Sequence, residues 1–250
     1  MIPLLLTAHR FWSGGLLEGG KAQGGVLLGR DMFQAFGVHG PELTPLAHAV
    51  VNTVLVLSAF FLLMADQRKN RFALAALTTL VLGMAALRVV FQPLPNVQPV
   101  TLAALLVGSQ LGARRGMAFA LLVTLLSNLL IGDGWWTLFQ GFGWAAVALL
   151  GSRFAFEEHG TLNMQRLCGV SVVAAFVFGT ISTLSLVDAT TTLGGFAQMV
   201  LLGLPFDALH ALGNIAFALW LGPSLHTFLR ETVTLDELTQ QVGDVHVVHG

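Results

Sequence analysis

Apolar residues run almost unbroken over 44–65, 72–91, 100–113, 116–131, 138–152, 167–187 and 203–222, and polar residues gather in the links between them. None of these runs alternates with a period of two, so the strands of a membrane barrel are not expected. A helix takes about 20 residues to cross the ~30 Å hydrocarbon core. The first two runs and the last two reach that length. The middle three fall short, so they must extend into their links or sit in a bundle that thins the membrane around them. Residues 1–42 differ in kind: "SGGLLEGGKAQGGVLLG" is glycine-rich, mildly charged and weakly periodic. The pattern predicts an all-α integral membrane protein with four parts. They are a flexible or peripheral extension over 1–42, an extra hydrophobic helix over 43–65, a six-helix domain over 72–228 and a polar tail over 229–250.

Composition strengthens this reading. Hydrophobic residues make up 55% of the chain and charged residues 10%, against about 25% charged in an ordinary soluble domain. Mean hydropathy is +0.77, and there is too little polar surface for a soluble protein. The formal net charge of −1 leaves no basic excess for a nucleic-acid surface. Cys168 is the single cysteine, which excludes an internal disulfide and a cysteine-rich metal site. The opening "MIPLLLTAHRFW" has no cationic lead and no clean cleavage site, so it is not expected to act as a signal peptide. No glycine-rich phosphate loop occurs, so ATP-driven work would need a partner.

The links indicate orientation. "DQRKNR" (66–71), "GARRG" (112–116) and the stretch 151–166 carry cations, whereas "FQPLPNVQP" (91–99), "GDGWW" (132–136) and "DATTTLGGFAQM" (188–199) carry none. Lys and Arg stay on the cytoplasmic side. Six helices from residue 72 then begin and end inside, the C-terminus is cytoplasmic, and the helix at 44–65 enters from outside. Arg10, Lys21 and Arg30 would lie outside in that arrangement, which runs against the rule.

Several residues are candidates for chemistry. Asp207, His210 and Asn214 share one face of the last helix, and ionisable groups inside a span raise a functional hypothesis. Polar residues also serve as glue between helices, with Asp207 a cap near the interface, Pro205 in the first turn and His210 and Asn214 as bridges. Arg88, the one cation deep in a span, either pairs with Asp207, grips an anionic ligand group, or snorkels to the interface. Trp135, Trp136, Gln140 and Trp144 surround an outer link, where an interfacial anchoring belt competes with an apolar wall for a flat ligand oriented by Gln140. Ala75, Thr79 and Gly83 form a ridge of small residues, suited to an internal contact or to docking a separate membrane subunit. His48 and Asn52 share a face, and a pair such as His48 and His210 could ligate haem iron, though no repeated spacing supports it. No catalytic constellation, metal site or bound cofactor is indicated.

From 72 to about 228 the order of features resembles the substrate-binding S components of energy-coupling factor (ECF) transporters. The resemblance rests on the small-residue first helix, on "PNVQPVTLAALLVGSQLGARRG", on "LLSNLLIGDGWWTLFQGFGWAAVALLG" and on "LPFDALHALGNIAFALWLGP". Residues 1–65 lie outside it. It implies a six-helix bundle in the cell membrane that captures a vitamin or related micronutrient at its outer end. A scaffold membrane subunit and two ATPases would be its partners. The loop "FQPLPNVQP" would fold over the ligand, with Asn96 and Gln98 hydrogen-bonding it, and the Ala75–Thr79–Gly83 ridge would dock the scaffold. The cobalamin branch looks most similar, with riboflavin, folate-like and thiamine-type ligands next. Two alternatives from other classes are a structural or assembly subunit and a haem- or quinone-linked redox protein.

Overall fold

The computed structural model describes residues 33–37, 40–66 and 71–248, with side chains described over 40–66 and 72–235. Among them are seven helices: α1 (Pro45–Met64), α2 (Arg71–Val90), α3 (Val100–Leu111), α4 (Ala113–Ile131), α5 (Trp135–Gly151), α6 (Met164–Thr183) and α7 (Leu193–Val248). Two antiparallel strand pairs join them, β1 (Phe33–Gly37) with β2 (Gly40–Leu43) and β3 (Glu157–Glu158) with β4 (Thr161–Leu162). The molecule is all-α with minor hairpins. Helices α1, α2, α4, α6 and α7 are long and apolar enough to cross a membrane.

Local chemistry sets several helix starts. Thr44 caps α1 by accepting from the Ala47 N–H at 3.3 Å, and Pro45 sits at the first helical position, where its missing N–H costs nothing. Asn163 caps α6 by accepting from the Arg166 N–H at 2.9 Å. Thr137 turns back to accept from the Gly134 N–H at 3.1 Å, fixing the entry to α5.

Helix α3 is the core: Val100 to Gly108 are all buried. Around it the backbones of α3, α4 and α5 nearly touch. An added Cβ at Gly108 would overlap the Ala148 carbonyl, one at Gly116 the backbone of Gly108, and one at Gly151 the backbone of Leu105. Only glycine permits this approach. Helix α1 lies outside, packing Ala47, Val51, Leu55 and Ala59 onto the bundle against α4 and α5. Its other face, with Val54, Leu57 and Phe61, is exposed.

Three sequence expectations differ from this structure. Residues 1–32 and 38–39 lie outside the described residues, but the end of the expected extension pairs as the β1–β2 hairpin leading into α1. The last link is shorter than 188–199, because α7 starts at Leu193 and places Pro205 inside the helix rather than in its first turn. Nor does α7 stop before Pro223; it is helical to Val248, through the expected tail. Proline removes one backbone hydrogen bond, but neighbouring helices can hold the chain across it. Leu225, Leu229 and Thr232 continue a buried stripe past Pro223, so packing carries the helix on.

The two ends contrast. At one, Arg115 pairs with Asp66 at 2.5 Å, Arg166 with Glu158 at 3.7 Å and Arg230 with Glu157 at 3.8 Å. At the other lie the cation-free links 91–99, 132–134 and 187–192, with Asn96, Gly132 and Leu186 bordering one space. There β2 seats Gly40 against Ser185 and Trp135, and Asp133 takes a hydrogen bond from Asn52 at 2.9 Å and lies 3.4 Å from His48.

Candidate functional site

Twelve residues make α3 about 18 Å long, too short to fill the bundle from end to end. The end of the proline-rich link, residues 96–99, therefore sinks between the helices while 92–95 stay exposed: Pro99 is buried and Val97 packs on Gly213, well down α7. Asn96 adopts φ +57° there, a left-handed conformation that asparagine tolerates. Beyond this link, towards the cation-poor end, a cavity of about 480 Å³ opens between α2, α4, α5, α6 and α7.

Arg88, in the last turn of α2, is 2% exposed. Its guanidinium donates to Gln98 Oε1 at 3.0 Å, to Ser127 Oγ and Asn128 Oδ1 at 2.5 Å each, and to Gln140 Oε1 at 3.0 Å. The Trp144 ring lies under it at 4.8 Å, a cation–π contact. Asn128 in turn donates to Thr137 at 2.8 Å and to Gln140 at 3.0 Å. Four neutral side chains thus hold the cation in one orientation. Burial rules out the snorkelling alternative, and no ion pair joins Arg88 to Asp207.

Asp207 reaches the same cavity from α7 and is 6% exposed. Its carboxylate lies flat on Gly179 of α6, where a Cβ would overlap it. Among the described residues it has no hydrogen-bond or ion-pair partner. Trp136, Phe178 and Phe206 supply apolar walls, and the buried Ser182 hydroxyl has no hydrogen-bond partner.

A second polar layer lies behind. Trp144 Nε1 donates to Thr101 Oγ1 at 3.0 Å, and that hydroxyl meets His210 Nε2 at 2.8 Å. Phe178 stacks on Trp144 with centroids 4.5 Å apart and meets His210 edge-on at 5.3 Å. Asn214 donates to the Ser171 carbonyl at 3.1 Å.

The ten candidate binding residues therefore divide. Arg88, Asn96, Trp136, Gln140 and Asp207 line the cavity; Gln98 and Trp144 stand behind it and touch Arg88. His210 and Asn214 tie helices together below, in the bridging role that their spacing also allowed. Trp135 packs edge-on against Phe139 at 5.2 Å and under Gly40, away from the lining. Sequence reasoning missed Ser127, Asn128, Phe178, Gly179 and Ser182. Asn128 had a signal, as the one amide side chain inside the apolar stretch of α4; the others had none. Ala75 and Thr79 are exposed, and open space surrounds Gly83, so that ridge faces away from the bundle.

Two clefts of about 440 and 670 Å³ flank Arg230 at the cation-rich end. Arg230, which borders both, is engaged by Glu157 and by the Gly160 carbonyl at 2.8 Å, and the other Arg and Glu side chains lining them are exposed. Among the described residues, the cation-poor cavity is the one bordered by a buried arginine and a buried carboxylate without a counter-ion.

Fold and cavity together define an α-helical membrane protein with a polar, aromatic-walled recess sunk between its helices. The chain belongs to DUF6580, a family of unknown function whose model matches residues 67–233. Comparison with curated proteins and with solved structures gave no match. The family segment holds every residue of the cavity and leaves out the β1–β2 hairpin and α1.

Proposed function

We propose that this chain is the solute-binding membrane subunit of an ECF-type importer, taking up a vitamin or similar micronutrient with its cation-poor end outside. The observation that carries the reading is the recess itself. It is a polar cavity of about 480 Å³ at one end of a membrane bundle, with a fixed guanidinium, a carboxylate and indole and phenyl walls. Ligand sites combine these features: apolar walls and a few placed polar groups. The cation-rich links at the opposite end support the orientation. The outward-facing Ala75–Thr79–Gly83 ridge is available to a scaffold subunit, and ATPase partners would supply the energy. The volume lies in the lower part of the range of about 300–1,000 Å³ that suits drug-sized ligands. A corrinoid with its nucleotide arm is far bulkier, so a flat vitamin of one or two fused rings fits better than cobalamin.

A second reading, a structural or assembly subunit, is favoured by the His210–Thr101 and Asn214–Ser171 contacts, which hold helices together without any ligand. One experiment separates the two. The full chain is purified in detergent from cells grown in rich medium, and co-purifying small molecules are identified by mass spectrometry. Capture requires a near-stoichiometric organic solute that is lost in Trp136→Ala. Finding none, with the variant changing thermal stability alone, would leave the assembly role.

A further inference from the structure

Arg88 and Asp207 are the charged side chains bordering the recess, and the protein does not bring them together. Four neutral oxygens hold the guanidinium back on its Trp144 platform. They spread its charge without cancelling it. Asp207 is drawn aside onto α6, where the bare face of Gly179 makes room for the carboxylate, and among the described residues nothing donates a hydrogen bond to it. Two largely buried ions of opposite sign thus face one space, each lacking a counter-ion among the described residues, so a solute that displaces water from the recess must pair both or leave one desolvated.

Resting on the capture reading above, we propose that the recess selects an amphoteric solute. Such a molecule sets an N–H-bearing cationic group, amidinium-like or a protonated ring nitrogen, against Asp207. Its carboxylate-like group meets the remaining N–H of Arg88, and a flat middle lies among Trp136, Phe178 and Phe206. Selectivity follows from the two ions together. A singly charged solute satisfies one and leaves the other buried and unpaired, so it is rejected although it fits by shape. The aromatic walls favour planarity and carry no charge preference of their own.

The test uses the purified full chain and synthetic probes of matched shape: 4-amidinobenzoate and 4-amidinophenylacetate as amphoteric members, benzamidine and benzoate as singly charged ones. Calorimetry should show at least one amphoteric probe binding tenfold or more tightly than both single-charge probes. Asp207→Asn, which is isosteric, should remove the advantage over benzoate. Arg88→Gln should remove the advantage over benzamidine, and the Asp207→Asn comparison stands alone if Arg88→Gln does not accumulate. Equal affinities across the set, or no binding of either amphoteric probe, overturn the proposal. So does an empty protein destabilised by each single variant and restored by the double, because the ions would then be pairing directly. A co-purifying solute of one charge sign or none would end this inference while leaving the capture reading intact. Strong amphoteric binding with no co-purifying solute would uphold the site chemistry and remove the support for capture.

Discussion

At Gly179 the side chain is a hydrogen, and the Asp207 carboxylate occupies the place a methyl group would take. Gly179→Ala should therefore push Asp207 out of position. Overpacking of this kind costs about 1–3 kcal/mol, so the unfolding temperature should fall modestly while, on the proposed reading, binding of the amphoteric probe drops by an order of magnitude or more. Calorimetry and thermal unfolding on one preparation read both. Arg88 and Asp207 were legible in the sequence because a charge inside an apolar run is rare and expensive. Gly179 was not: it is one of 28 glycines, and nothing along α6 says which of its glycines meets a carboxylate on α7. His210 shows the opposite failure. Its spacing from Asp207 puts both on one helix face, but spacing cannot say that Thr101 already occupies its Nε2.

At the scale of elements, apolar runs matched helices wherever a link carried its own stop signal. The run 44–65 became Pro45–Met64 and 72–91 became Arg71–Val90, each within a residue. Helix α7 runs past both expected ends, through Pro205 and Pro223. Which proline ends a helix depends on whether other helices hold the chain across it, and that is a tertiary matter. Length has a consequence as well: the shortness of α3 leaves the recess, and its glycine contacts let it sit at the centre. Gly108→Val should force α3 away from α5, since the Ala148 carbonyl is backbone and cannot swing aside. The expected result is a loss of roughly 1–3 kcal/mol or failure to accumulate, seen as a lowered unfolding temperature in detergent, and a neutral result would contradict the close packing described.

For the whole molecule, the exposed faces divide the work. Helix α1 covers α4 and α5, while the Ala75–Thr79–Gly83 ridge of α2 stays open on another side. Gly83→Leu adds bulk where nothing lies within 4 Å, so folding and solute binding should be unchanged. If the ridge docks a scaffold, cellular uptake of the co-purified solute should collapse; uptake at the unaltered level would assign the ridge to lipid.

The sequence by itself determined that this is a helical membrane chain, how its cations divide between two ends, and which charges were costly enough to need a reason. Those properties depend on composition and local periodicity, which a linear pattern contains. Tertiary structure alone decided that the end of the proline-rich link sinks into the bundle, that Gly179 admits Asp207, and that Arg88 is bound by neutral partners instead of a carboxylate. Each of those outcomes depends on distances between residues far apart in the chain, set when glycine-faced helices close around a central one too short to fill the bundle.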